Sequence, residues 1–477
     1  MGTSTPGTSK CEKLMRGLLG GMRWPPGLVA WITIAGMRVS RNSDGAKHAI
    51  PLAWPPSRKT DPGQAARTAL NYDEEPELLE NGLLALADDL SGAVETAACL
   101  RPLGQSTTVE LTRQGSAPTA HNAQSVVAVD LDIRALPATT AGRITSTALR
   151  GAGDRGVFVK IDSQLRGNVG AVLSAAADRP LVVAPALPAL HRSVVGGVAH
   201  LHGVPLHRSA AWQVEGASPP RSIAEALAPL PCRTIPLGTV RSASLRAALA
   251  ECIATGEVPI CDSEVDADLD AVVAAAPDGA RLAGSGGLAA AMGRTAPATA
   301  DKTPVTPTGN PLLLVVGTAS PEAAEQLRVA ELRGVRTVAC GTADLVGQGT
   351  SESALSRALV ALERGPTALR IDPSEPVAPG QSRNLARGLA STAAGVVERQ
   401  PGPVDVVLTG GETARLVLDA LGVPTLVPVG QIHHGAVHSR TPAGTSVVTR
   451  PGSFGESDSL ARIVEHLRPA GIERLPK

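Results

Sequence analysis

From residue 82 onward the chain repeats one texture: a short apolar run, a turn of glycine, hydroxyl or acidic residues, then an alanine-rich helical stretch. Apolar runs without polar alternation are what strands buried on both faces require, and parallel neighbours need a crossover helix between them. The expected fold class is α/β: two domains, each a mostly parallel sheet with helices on both faces, and a ligand site in the cleft between them. Bulky rings cannot build the core, because the 477 residues include only four Trp, two Phe and one Tyr. Alanine, valine and leucine must fill it, which suits helices packed on buried strands. So long a chain exceeds one ordinary core.

Strands are expected at Gly82 to Ala87, Ser125 to Leu131, Gly156 to Ile161 and Leu181 to Ala184, with helices at Ala93 to Arg101, Thr140 to Arg150 and Val169 to Ala177. Residues 295–311 read TAPATADKTPVTPTGNP, whose prolines and small polar residues sustain neither a helix nor a central strand, and so mark a linker. Beyond it the rhythm resumes, with strands at Leu312 to Val316, Val335 to Ala339, Val404 to Thr409 and Ser446 to Thr449. Helices follow at Pro321 to Leu332, Glu352 to Glu363, Ser382 to Glu398, Thr413 to Leu421 and Asp458 to His466. The expected domains are 81–294 and 312–477. Residues 1–80 lack periodicity and read as a disordered or non-native extension, with Met22 and Met37 as alternative starts.

Lys plus Arg and Asp plus Glu balance at 44 each, which removes any global electrostatic case for nucleic acid or an anionic membrane as partner. The six cysteines are scattered with no CxxC pair, so reduced thiols in a cytoplasm are expected. The apolar stretch from Gly27 to Met37 is too short to span a bilayer, and it lacks the cleavage site of a signal peptide.

Three strand ends in the first half gather charge. LLALADDLSGAVETAACL places Asp88 and Asp89 after a strand and before a helix opened by Ser91 and Gly92, where carboxylates can serve as a base toward a hydroxyl, hold Mg²⁺ through water, or simply cap the helix. VFVKIDSQLRGNVGAVL adds Lys160, Asp162, Ser163 and Arg166, a set suited to an acidic, hydroxylated ligand or, more plainly, to a surface ion-pair loop. VVAVDLDIRALP supplies Asp130, Asp132 and Arg134. In an open parallel sheet such ends line the ligand crevice.

The second half gathers glycine. Gly410, Gly411, Glu412 and Thr413 follow a strand and open a helix, so a phosphate could approach bare backbone at a helix N-terminus, though a GG turn is also a common tight connection. Gly317, Thr318 and Ser320 repeat the arrangement, and VVTRPGSFGESDSL adds Gly452 and Gly455. No GxxxxGK[ST] occurs, which excludes an ordinary P-loop. His434 and His438 have metal-ligand spacing in QIHHGAVHSR, but Gly435 interrupts the helix that spacing needs, so they read as loop histidines.

In order, ADDLSGA, VDLDIR, KIDSQLRGN, APALPALHRSVVGG with HGVPL, GSGGLAAAM, VVGTAS, TGGETA and RPGSFG resemble the successive signatures of the four-carbon acid sugar kinase family over about residues 82 to 470. The resemblance implies a substrate-binding N-terminal domain, a nucleotide-binding C-terminal domain, and ATP-dependent phosphorylation of the 4-hydroxyl of threonate or erythronate. A 3-oxo-tetronate kinase and a catalytically idle sugar-acid sensor are the alternatives. It implies substrate contacts at Asp88, Asp89, Arg134, Lys160, Asp162, Ser163 and Arg166, with Asp89, Lys160 and Asp162 catalytic, and an arginine clamp of Arg134 and Arg166 on the substrate carboxylate. For ATP it implies Thr318, Ser320, Gly410, Gly411, Glu412, Thr413, Gly452 and Gly455, with Mg²⁺ on the phosphates. The expected partners are the sugar acid and ATP, in a homodimer, without nucleic acid or membrane. Gln164 replaces a threonine of the threonate-type run, Thr318 stands where Ser is usual, His191 where Gly is usual, and Arg450 and Pro451 where Lys-Ser is common.

Overall fold

The computed structural model describes residues 31–34, 37–41, 47–50, 81–104, 106–112, 125–209, 212, 218–296, 306–318, 320–346, 351–375, 381–452 and 454–469. Residues 1–75 and 76–477 form two compact units. In the first, Trp31–Ile34, Met37–Arg41 and Lys47–Ile50 make a three-stranded antiparallel sheet. The remaining calls on residues 1–80, and the linker call across 297–305, lie outside the described residues.

The second unit is built on one large sheet, whose strands are numbered here in chain order. The first half contributes β1 (Leu83–Ala87), β2 (Ser106–Leu111), β3 (Ser125–Asp130), β4 (Gly156–Lys160), β5 (Leu181–Ala184), β6 (Cys232–Ile235), β7 (Val258–Cys261) and β8 (Arg281–Gly284). The second contributes β9 (Leu312–Val316), β10 (Arg336–Cys340), β11 (Thr367–Ile371), β12 (Asp405–Thr409), β13 (Thr425–His433), β14 (Ala436–Arg440) and β15 (Ser446–Arg450). The order across the sheet is β6-β7-β5-β8-β4-β1-β3-β2-β13-β14-β15-β12-β9-β11-β10. Pairings are parallel within β6 to β2 and within β15 to β10, and antiparallel where β13 and β14 bridge the two blocks.

The two sheets expected from the sequence are therefore continuous. β2 would otherwise end the first block with unpaired backbone, an edge that proteins cover; β13 covers it through Thr425 opposite Glu110 and Leu426 opposite Val109. β1, β3, β9 and β12 are buried along their whole length. Helices α1 (Leu90–Leu100), α2 (Ala138–Arg150), α3 (Val169–Ala176), α4 (Leu245–Ala254), α5 (Asp266–Ala275) and α6 (Gly286–Arg294) dress the first block, and α7 (Pro321–Glu331), α8 (Glu352–Glu363), α9 (Ser382–Glu398), α10 (Gly411–Ala420) and α11 (Ser459–Leu467) the second. Side-chain oxygens open several of them: Asp89 accepts from Gly92 N–H, Ser285 from Gly287 N–H and Ser320 from Ala323 N–H. Among the described residues no helix is long and apolar enough to cross a membrane.

On β14, His438 is 1% exposed and its Nδ1 lies 3.2 Å from Nε2 of His466 on α11. Burial, then His466 and Arg440, push the His438 imidazole down to about 4, and burial also lowers His433 and His466. Because the folded value lies below the unfolded one, the unfolded chain takes up protons first as pH falls. Stability is then full above about pH 6.5 and drains away toward about pH 4. Melts at pH 7.5, 6 and 5 are expected to show a falling Tm, with a shallower fall in His438→Gln; equal slopes would remove this histidine from the acid response.

Candidate functional site

β3, β1 and β4 lie side by side, and their C-terminal ends carry the three charged turns. This is where the strand order reverses, because the chain leaves β1 on one side through β2 and β3 and returns on the other at β4. The turns converge. Arg134 lays its fork on Asp88, Nε donating to Oδ2 at 2.7 Å and Nη2 to Oδ1 at 2.9 Å, while Nη1 donates to Asp89 Oδ2 at 2.7 Å. Arg166 grips Asp162 in the same way, at 2.8 and 2.9 Å, and Arg134 Nη2 stands 3.9 Å from Asp162 Oδ1. Lys160, 5% exposed, points its Nζ toward Glu95 Oε2 at 3.4 Å. Arg192 donates to Ser163 Oγ at 2.6 Å.

The arginine clamp is thus already engaged by the protein's own carboxylates. Charges taken out of water must be paired, and four carboxylates (Asp88, Asp89, Glu95, Asp162) meet four cations (Arg134, Lys160, Arg166, Arg192). Burial pushes the Asp88 carboxyl up in spite of Arg134. Burial also acts to raise Asp162, yet Arg166, backed by Arg134 and Lys160, holds that carboxyl well below the usual range. Fully ionised, the cluster is neutral.

Local backbone sets these aims. Leu165 holds φ at +59°, a left-handed conformation that costs a non-glycine residue on the order of 1 kcal/mol. The tight turn brings the Gln164 and Arg166 N–H groups to 3.1 and 3.2 Å from Asp162 Oδ2. His191 likewise sits at φ +52°, which is why glycine suits that position, and its ring is held 5.2 Å from that of His202. Asp130 departs from the cleft: wholly buried, it turns to Arg415 of α10 at 2.8 Å.

In the second block the turns after β9, β12 and β15 are neighbours on one sheet edge. Gly410, at φ +96°, turns the chain into α10, Gly317 packs without room for a side chain against Thr413, and a Cβ on Gly452 would lie 3.0 Å from Thr318. Glu412, Ser320 and Gly455 do not join this cluster. Glu412 is exposed and pairs with Arg383 at 3.4 Å, Ser320 is spent on capping α7, and Gly455 packs on Ser459 and His433. Arg450 turns inward as well. It is 1% exposed, burial alone lowers it to about 10, and it donates to the carbonyls of Pro451, Gly452 and Phe454 while Gln326 binds those of Phe454, Gly455 and Glu456. Its charge shapes the glycine loop from behind rather than facing an anion.

The two clusters meet. A Cβ added to Gly411 would stand 2.9 Å from Ser91 Oγ and 3.3 Å from Asp89 Oδ2, so bare backbone at the N-terminus of α10 abuts the Asp89 carboxylate. Ser91 Oγ is buried and has no hydrogen-bond partner among the described residues. Sequence reasoning passed over Ser91 and Glu95 as site residues, although their i, i+4 spacing on α1 puts them on one face with Asp89 at its cap. Gly411→Val is expected to lower kcat/KM about 100-fold while the Tm stays within a few degrees, since a misplacement near 1 Å costs that much; near-normal turnover would show that this approach is dispensable.

Family models for a sugar-binding N-terminal domain and a nucleotide-binding C-terminal domain match residues 83–292 and 313–460. A D-threonate kinase of Cupriavidus necator is 32% identical over 405 residues, covering 79% of this chain and 96% of the relative. The chain belongs to the four-carbon acid sugar kinase family. A D-erythronate kinase of Heliobacterium modesticaldum (27% over 450 residues, 81% and 97% covered) and a 3-oxo-tetronate kinase of Methylobacterium radiotolerans (28% over 420 residues, 80% and 98%) are also similar. Solved proteins from Salmonella typhimurium LT2 and Haemophilus influenzae share the fold, with TM-scores of 0.67 and 0.62 at 21% and 20% identity, each over 80% of this chain and 98% and 100% of theirs. This chain is a phosphotransferase acting on a sugar-acid hydroxyl, with a nucleotide-binding C-terminal domain.

Proposed function

We propose that this kinase transfers the γ-phosphoryl group of ATP to the 4-hydroxyl of a four-carbon sugar acid, threonate or erythronate, with residues 81–294 holding the acid, 312–477 the nucleotide and 295–311 linking them. The observation that carries this is the meeting of Asp89 with Gly411, which places a carboxylate from the charged cluster against the glycine turn of the nucleotide domain. Asp89 orients the hydroxyl and accepts its proton; Asp162 holds Arg166 in place; Lys160 stands over the hydroxyls and the transferring group. The exposed edges of Arg134 and Arg166, whose side chains are 26% and 27% accessible, face the substrate carboxylate beside Ser163. The Gly317, Thr413, Gly452 and Thr318 cluster offers close backbone approach to the phosphates.

Three relatives at 30–32% identity are D-threonate kinases, which favours a threonate. Among the described residues no three His, Cys, Asp or Glu side chains are arranged to hold a metal; Mg²⁺ would enter with the triphosphate. The described cysteines are unpaired thiols, which supports a reducing cytoplasm. A coupled ADP-release screen over D- and L-threonate, D- and L-erythronate and 3-oxo-tetronate tests the proposal. ATP-dependent turnover of a threonate or erythronate is expected; turnover of 3-oxo-tetronate alone would reassign the substrate, and none with any acid would refute the transfer.

A further inference from the structure

A closed ring of contacts leaves the substrate turn and comes back to it through the nucleotide domain. Lys160 Nζ lies 3.4 Å from Glu95 Oε2. Glu95 Oε1 is buried without a hydrogen-bond partner among the described residues, and so is His434 Nε2, 4.0 Å away in the turn between β13 and β14. The His434 ring stacks on Phe454 of the glycine loop, with centroids 6.3 Å apart and planes 13° from parallel. Phe454 in turn lies under the Arg192 guanidinium, 5.2 Å from the ring centroid, a cation–π contact. Arg192 donates to Ser163, three residues from Lys160.

Two buried polar atoms that face each other just beyond hydrogen-bond range are costly apart. The cost disappears if the nucleotide domain advances by about 1 Å, the difference between this separation and an ordinary hydrogen bond. The carboxylate has no room to retreat: a Cβ on Gly286 would stand 2.5 Å from it, so it packs on bare backbone of α6. Glu95 is therefore fixed to the substrate domain and His434 to the nucleotide domain, with Lys160 on the far side of the same carboxylate.

We propose that Glu95 is a positioning residue through which closure of the nucleotide domain, completed by a hydrogen bond from His434, fixes the Lys160 ammonium for transfer. This rests on the phosphotransfer reading. The stack of His434, Phe454 and Arg192 makes the hydrogen bond dependent on the glycine loop, so Lys160 is held only when that loop is in place. Glu95 acts through Lys160 and touches neither substrate.

The test is a double-substitution cycle on the full chain. Glu95→Gln and His434→Phe, which keeps the stack but removes the donor, are each expected to lower kcat about tenfold while KM for ATP and for the sugar acid stays within about threefold; one such factor equals about 1.4 kcal/mol. The double variant should be no slower than either single one, because both break one link. His434→Gln, which keeps a donor, should recover part of the loss. Unchanged kcat in either single variant, or a double loss equal to the product of the two, would overturn the proposal. Coupling of the same two substitutions in Tm, measured alone and with a non-hydrolysable ATP analogue, needs no turnover: it should grow with the analogue, and equal coupling in both conditions also overturns it. A wild-type chain that turns over no acid yet shows the growing coupling would sink the transfer reading and leave the latch standing.

Discussion

Asp89→Asn is expected to lower kcat by about 10³-fold, within the 10²–10⁴ range that a positioned base supplies, with nucleotide affinity little changed. The substitution is chosen for what it keeps. Asp89 caps α1 by accepting from Gly92 N–H at 2.8 Å through Oδ1, and an asparagine oxygen can do the same. What changes is Oδ2, which faces Arg134 at 2.7 Å and lies nearest the Gly411 backbone. An amide there neither accepts a proton nor answers Arg134. Melting should therefore show a modest loss, about 1 kcal/mol for the weakened ion pair, beside the large kinetic one. ADP release measured under saturating acid and ATP, with nucleotide binding by calorimetry on the same protein, separates the two. Full activity would strip Asp89 of its role, and a collapse in Tm would make it structural.

The strand and helix rhythm was legible because buried parallel strands and alanine-rich helices leave a strong local pattern. β1, β4, β9 and β12 begin and end within a residue or so of where the runs of apolar residues place them. Strands β2, β6, β7, β8 and β11 and helices α4, α5 and α6 went unread, and what else stayed hidden was pairwise. Nothing in the run VVAVDLDIR says that Asp130 faces Arg415, 285 positions away, while Arg134 faces Asp88. Charge type and strand end could be read, but the choice of partner depends on which turn lies across the sheet edge. The same holds for Arg450, which reads as a cation beside a glycine loop and proves to be a buried donor to that loop's carbonyls. β13 and β14 were missed because a two-stranded bridge with irregular register between Pro428 and Gly430 breaks the period-2 pattern.

Arg415→Met is expected to destabilise the second unit by about 3–5 kcal/mol at pH 8, the cost of leaving one member of a buried ion pair uncompensated. Arg415 is nearly buried, donating to Asp130 Oδ2 at 2.8 Å, to the Thr112 carbonyl and to Asp419 at 3.0 Å, so it ties α10 of the second block to β3 of the first. Burial raises the Asp130 carboxyl although Arg415 opposes it. Removing Arg415 takes away the opposition, and the folded carboxyl rises further above its unfolded value. A group raised on folding contributes stability that is full below the unfolded pKa and is lost as pH climbs through the folded one. The deficit of the variant relative to the wild type should therefore shrink from pH 8 to pH 6, where Asp130 can keep its proton. Asp130→Asn added to Arg415→Met should recover most of the loss, because a neutral amide leaves no buried charge behind. Urea midpoints for the three proteins at both pH values decide it. A deficit that grows on acidification, or a double variant no better than Arg415→Met, would mean that α10 is held by the packing of its apolar face and that this ion pair only fills the gap.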